Sequence, residues 1–78
     1  MNDLIAVDAW MHNVLSSGTP LSVYKKRFRE FNLRQDTFIR NEIQNSILPR
    51  LRELGYMDDV EAYEKMLDVL EKIIVEKL

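Results

Sequence analysis

Apolar residues recur at intervals of three and four along almost the whole chain, which is the spacing of one face of an α-helix. No stretch alternates between apolar and polar residues for long enough to predict a β-strand. The pattern therefore predicts an all-α fold, a compact bundle of four helices. The predicted helices cover residues 3–16, 20–31, 35–54 and 58–77.

The first two predicted helices are bounded by residues that favour helix ends. Asn2 or Asp3 can cap the first helix, and Ser17-Gly18 can end it. Thr19-Pro20 is typical of a helix start, because threonine accepts bonds from free amides and proline lacks the amide that would go unpaired there. The apolar stripes that we expect to face the core contain Leu4, Val7, Trp10, Met11, Val14 and Leu15 in the first helix, and Leu21, Tyr24, Phe28 and Phe31 in the second.

The third predicted helix carries a proline in its interior. Its polar residues Gln35–Thr37 can cap the start, and its stripe is Ile39, Ile43, Ile47, Leu51 and Leu54. Pro49 removes one backbone hydrogen bond and crowds the preceding turn, so we expect a kink near residues 46–49 or a split into two helices.

A short link joins the third and fourth predicted helices. Gly55 suits the left-handed position that ends a helix, with Tyr56 folding back on Leu51. Asp58 and Glu61 have the spacing of a capping box at the start of the fourth helix. Two long helices with so short a link predict an antiparallel hairpin, on which the first two helices pack.

Length and charge add two further predictions. The chain has 78 residues, which is enough for a single helical domain spanning residues 1–78. Its net charge of −2 conceals a strong polarity. Residues 21–52 hold eight basic and three acidic residues, whereas residues 53–78 hold three basic and eight acidic ones, so the two blocks carry +5 and −5.

The chain is poor in groups that catalyse reactions or bind metals. It has no cysteine, and its one histidine, His12, follows Asp8 by one helical turn, which we interpret as a solvated contact. Glutamates in the Glu-x-x-His spacing of di-metal bundles are absent. We therefore expect a protein that is not an enzyme and has no metal site and no cofactor.

The basic block supports one hypothesis about function. Lys25, Lys26 and Arg29 lie on one flank of the second helix, and Arg34 and Arg40 follow across a short link. This layout is that of a helix-turn-helix, and its cations can contact a nucleic-acid backbone. The competing interpretation is a solvated face that the acidic fourth helix neutralises.

Apolar residues outside the predicted stripes support the other hypothesis. Ile5 and Ala9 in the first helix and Val75 in the fourth are left for an interface. Together with the segregated charge, they predict a small interaction module, a regulator or adaptor that binds another protein or a second copy of itself as a dimer. A nucleic-acid-binding transcriptional regulator that uses residues 25–40 remains the alternative.

The cellular compartment is predicted from three features that the sequence lacks: a secretory signal, a long apolar run and cysteine. The chain starts Met1-Asn2-Asp3, without the positive region of a secretory signal, and it has no long apolar run. With no cysteine present, we expect a cytoplasmic protein that does not enter a membrane.

Overall fold

The computed structural model describes residues 3–16 and 18–78. Within them the chain forms α1 (Asp3–Val14), α2 (Leu21–Glu30), α3 (Leu33–Glu42), a π-helical turn (Ile43–Ile47), α4 (Leu48–Leu54) and α5 (Met57–Lys77), and no strand. The predicted all-α bundle is confirmed. Because α3, the π-helical turn and α4 follow one another without a break, they form one helical stretch over residues 33–54.

The π-helical turn is the response of this stretch to Pro49. The amide of Leu48 donates to the carbonyl oxygen of Ile43, five residues back. Pro49 then falls in the first turn of α4, after the turn in which the hydrogen bonds have already changed register. The local irregularity predicted near residues 46–49 is therefore a widened turn that begins at Ile43, and the helix does not split in two.

Asn32 caps α3, which begins at Leu33, two residues before the predicted start at residue 35. Its Oδ1 accepts from the amide of Gln35 at 2.8 Å, and Gln35 Oε1 accepts from the amide of Asn32 at 2.9 Å. These reciprocal bonds form a capping box. Asp36 consequently lies inside the first turn of the helix, where it is buried, and does not act as a cap.

Two other predicted caps do not form. The residue before α2 is Pro20 and the residue before α5 is Tyr56, and neither helix start has a side-chain capping hydrogen bond. Thr19 and Asp58 therefore do not cap these helices. The predicted roles of Asn2 and Ser17 lie outside the described residues.

The predicted end at Gly55 is confirmed. Gly55 has a φ of +77°, which a residue with a side chain rarely adopts. Its amide donates to Arg52 O at 3.1 Å and the amide of Tyr56 to Leu51 O at 3.0 Å, the bonds of a Schellman motif. The backbone turns back in this way, but the Tyr56 side chain stays exposed.

The two long helical stretches run antiparallel, as predicted. Asp36 near the start of α3 meets Lys77 at the end of α5, and Arg52 in α4 meets Glu64. The helix α1 packs against α3, and α2 packs against α5. Since Leu21 lies beside Ala62 and Phe28 lies beside Lys77, α2 and α5 run in the same direction.

The core lies between these four stretches. Its buried apolar members are Val7, Met11, Tyr24, Phe28, Ile39, Ile43, Leu48, Val60, Tyr63, Met66, Leu70, Ile73 and Ile74. Trp10 packs edge-on against Tyr24, Phe28 and Phe31, with ring centroids 5.2–6.3 Å away. These edge-to-face contacts join α1 to α2.

Candidate functional site

The basic residues of α2 lie on its exposed side. Because α2 buries Tyr24 and Phe28, the opposite side presents Lys25, Lys26 and Arg29 to solvent. Within the described residues, none of these three cations takes part in an ion pair. We call Lys25, Lys26 and Arg29 the basic face.

The acidic helix α5 does not pair with the basic face. Three of its carboxylates form ion pairs elsewhere: Glu61 with Lys65 at 3.2 Å, Asp68 with Lys72 at 3.2 Å, and Glu64 with Arg52 at 3.1 Å. Although α2 packs against α5, the charges of the two helices therefore remain separate. The basic face can contact an anionic partner without first breaking an ion pair.

The other two predicted cations have different surroundings. Arg34 is exposed in the first turn of α3. Arg40 is half-buried: its Nη2 donates to Asn41 Oδ1 at 3.2 Å, and its buried Nε has no hydrogen-bond partner among the described residues. Arg34 is therefore accessible to a ligand, whereas Arg40 is less able to reach one.

The predicted interface residues are exposed but lie on two helices. Ile5 and Ala9 are on the surface of α1, which packs against α3. Val75 is on the outer face of α5, in a hollow lined by Asp68, Glu71 and Lys72.

A groove lies between the start of α2 and the first half of α5. Two cavities of about 380 and 420 Å³ share Leu21, Glu61 and Lys65, so they form one depression, which we call the α2–α5 groove. Its apolar lining includes Leu21, Ala62, Met66 and Val69, and its charged lining is Asp58, Glu61, Glu64, Lys65 and Asp68.

Exposed apolar residues also cluster at the turn between α4 and α5. Leu54, Tyr56 and Met57 are 51–60% exposed, and we call these three the hairpin tip. Asp58 lines both the α2–α5 groove and the hollow beside the hairpin tip, so these two surfaces adjoin. The sequence pattern does not predict the hairpin tip, because Leu54 continues a buried stripe and Tyr56 belongs to a helix-ending motif. The available signal was the presence of three large apolar residues next to Gly55, at the turn between two helices.

A buried ion pair closes the opposite end of the molecule. Asp36 is fully buried, and its Oδ2 accepts from Lys77 Nζ at 2.5 Å. The same ammonium group donates to the carbonyl oxygens of Phe28, at 2.7 Å, and Phe31. Burial raises the pKa of Asp36, and the hydrogen bond and charge of Lys77 offset this only in part. Since Asp36 is sealed from solvent, we assign this pair a structural role.

The remaining titratable candidates lie on the surface. His12 Nδ1 is 2.8 Å from the carbonyl oxygen of Asp8 and 3.7 Å from its carboxylate, and both side chains are solvated. Across residues 3–16 and 18–78, no group of three or more histidine, aspartate or glutamate side chains is placed to hold a metal ion.

The comparisons with known proteins add no relative. The chain matches no protein-family model, no curated protein and no solved structure. Within the part of the chain that the structure describes, no helix is both long and apolar enough to cross a membrane.

Proposed function

We propose that this chain is a non-enzymatic, cytoplasmic interaction module, a regulator or adaptor that binds another protein. The observation that carries the proposal is the continuous surface formed by the α2–α5 groove and the hairpin tip. Scattered apolar residues are ordinary on a monomer, but apolar residues gathered beside a groove are typical of binding surfaces. The core is complete without Leu54, Tyr56 and Met57, so they remain free for a partner.

The charge distribution supports self-association as a second mode of the same function. The outer side of α2 is basic, that of α5 is acidic, and the two are not paired within one molecule. Between copies, α2 of one molecule can face α5 of the next. Such contacts weaken as salt rises, because exposed charges are screened over about 10 Å at 0.1 M salt.

Light scattering combined with affinity purification tests this proposal. We expect the tagged chain to retain a defined protein from extract, and any dimer to dissociate at high salt. A strict monomer at low salt that retains no protein would contradict the proposal in both forms.

The unpaired basic face favours a second candidate, a nucleic-acid-binding regulator. Lys25, Lys26 and Arg29, together with Arg34, place cations along α2 and the start of α3. Each phosphate contact releases a counterion, so binding would weaken steeply as salt rises.

A salt-titrated gel shift with duplex and single-stranded nucleic acid tests the second candidate. Reversing Lys25, Lys26 and Arg29 to glutamate should weaken binding by about 100-fold at low salt and reduce the salt slope by about 3. The matched control reverses Arg50, Arg52 and Lys72, which changes the total charge equally. Equal loss in both variants would show that net charge alone drives the association and would reject the basic face as a site.

A further inference from the structure

The α2–α5 groove has an apolar floor. Leu21 on α2 is 37% exposed although it belongs to the predicted apolar stripe, while Met66 on α5 is almost fully buried behind it. Ala62 and Val69 are half-buried along the same side of α5. A partner that covers Leu21, Ala62 and Val69 would remove apolar surface from water that this chain leaves exposed.

The rim of the groove is acidic. Asp58, Glu61, Glu64 and Asp68 line it together with Lys65, and Arg52 and Lys72 pair with Glu64 and Asp68 from outside the lining. The ion pairs that three of these carboxylates form are exposed, and exposed ion pairs contribute little to stability. A cationic partner can therefore compete for these carboxylates at little cost.

The dimensions of the groove suit a helix. Its lining runs along α5 from Asp58 to Val69, a length of roughly 17 Å at 1.5 Å per residue. An amphipathic helix of about three turns covers this distance and places apolar residues at i, i+3 or i+4, and i+7 on one face.

Other occupants fit the groove less well. The carboxylates of its rim repel phosphate groups, which disfavours nucleic acid. A second copy of this chain offers a basic α2, but Tyr24 and Phe28 of that helix are buried in its own core. The second copy therefore supplies the charge without an apolar face.

We propose that the α2–α5 groove binds a cationic amphipathic helix of a partner protein, with apolar residues on Leu21, Ala62 and Val69 and lysines or arginines on the acidic rim. This inference rests on the proposed protein-binding function and names its site and the chemistry of its partner.

A designed peptide tests the inference on the full chain. The probe is a leucine–lysine peptide of about 14 residues with leucines at helical spacing. Its controls are a shuffled peptide of the same composition and a leucine–glutamate peptide. In amide NMR spectra of the labelled chain, we expect the leucine–lysine peptide to shift resonances of residues 21, 62, 66 and 69, and the control peptides to leave them unchanged.

Matched variants of the chain distinguish an effect of total charge from an effect of the α2–α5 groove itself. Glu61→Lys with Asp68→Lys should weaken peptide binding by at least about tenfold at low salt, whereas Glu71→Lys with Glu76→Lys, the same charge change outside the groove, should weaken it by less than about threefold. Leu21→Ser should weaken binding by about fivefold, and Val23→Ser, exposed on the same helix but outside the groove, should leave it unchanged.

Three results would show that the peptide does not bind in the α2–α5 groove. Equal loss in the two double-charge variants, equal binding of the shuffled peptide, or resonance shifts outside the groove would overturn the inference. If the peptide fails while affinity purification still recovers a protein partner, the groove assignment is wrong and the proposed function stands. If neither binds, the proposed function fails as well.

Discussion

The two ends of the bundle are built in opposite ways. At the Lys77 end, where α5 finishes, the ammonium group joins the carbonyl oxygens of α2 to the carboxylate of Asp36 in α3. Asn32 there also donates to the Asp3 carboxylate at 2.9 Å. At the hairpin end, the hairpin tip and Leu21 are left exposed. The buried carboxylate and its ion pair thus lie at one end, and the α2–α5 groove with the adjoining hairpin tip at the other, while single exposed apolar residues such as Val75 and Leu78 also occur at the Lys77 end.

Helix length explains the difference. The stretch over residues 33–54 and the 21-residue α5 are about twice as long as the 12-residue α1 and the 10-residue α2. The helix α2 ends beside Lys77, and its first residue, Leu21, lines a cavity with Asp58, Glu61 and Ala62 in the first two turns of α5. The hairpin tip lies beyond this cavity, in a separate hollow next to Asp58, so the hairpin extends past the start of α2. This overhang leaves the hairpin tip uncovered and gives the α2–α5 groove its shape.

Core truncation near the Lys77 end should have the largest effect. Phe28 is fully buried and packs against Trp10 and Tyr24, so Phe28→Ala should lower the free energy of unfolding by about 3–5 kcal/mol. Met57→Ala at the hairpin tip should change it by less than about 0.5 kcal/mol. Urea denaturation followed by circular dichroism measures both. Similar losses in the two variants would refute the contrast between the ends.

Removal of the cation that pairs with the buried Asp36 should have the next largest effect. Lys77→Met leaves the Asp36 carboxylate buried without its counterion, which should cost about 3 kcal/mol at neutral pH. Lys72→Met removes an exposed cation of the same helix and should cost less than about 1 kcal/mol. Equal stability of the two variants would show that the Lys77 end is not held by its ion pair.

Loss of the α3 cap should have a moderate effect. Asn32→Ala removes the side chain that accepts from the Gln35 amide and should cost about 1 kcal/mol. Asn45→Ala, within the π-helical turn, removes no cap and is the matched control. Thermal unfolding of the two variants measures the difference, and an unchanged midpoint for Asn32→Ala would rule out a stabilising capping box.

The smallest expected effect is a dependence on pH at Asp36. Burial raises the folded-state pKa of Asp36 above its unfolded value, so the folded protein holds this proton more tightly. Wild type should therefore lose stability relative to Asp36→Asn as the pH rises from below about 3.9, the ordinary aspartate pKa, through the folded-state pKa. Unfolding curves of both proteins across this range measure the difference. If the stability of wild type relative to Asp36→Asn rises with pH instead, Lys77 lowers the pKa of Asp36 more than burial raises it.

Sequence patterns reveal the features of this fold that depend on local periodicity, but not those that depend on how the helices align. Helical spacing predicted the four stretches and the buried Tyr24 and Phe28, because burial of one helix face depends mainly on local periodicity. The turn at Gly55 was also predictable, since only its local conformation had to be recognised. The pairing of Asp36 with Lys77 was not, because it joins residues 41 positions apart and depends on how the helices align.

The candidate site was predictable only in part. Lys25, Lys26 and Arg29 were identifiable because three cations on one flank stand out in a helical pattern. That they stay unpaired depends on the packing of α2 against α5. The groove depends on the overhang of one helix pair past another, and Leu21 looked like an ordinary core residue. The hydrophobic pattern predicted the side of α2 on which Leu21 lies, but not that its side chain is exposed.

The most direct test of the central claim, that the hairpin end is the binding end, is quantitative affinity purification with two matched variants. One replaces Leu21, Leu54, Tyr56 and Met57 with serine, and the other replaces Ile5, Val23, Val75 and Leu78 with serine, four exposed apolar residues in each case. We predict that the first variant stays folded but loses the partner protein retained by wild type by roughly tenfold or more, and that the second retains it. Retention by the first variant and loss by the second would contradict the account.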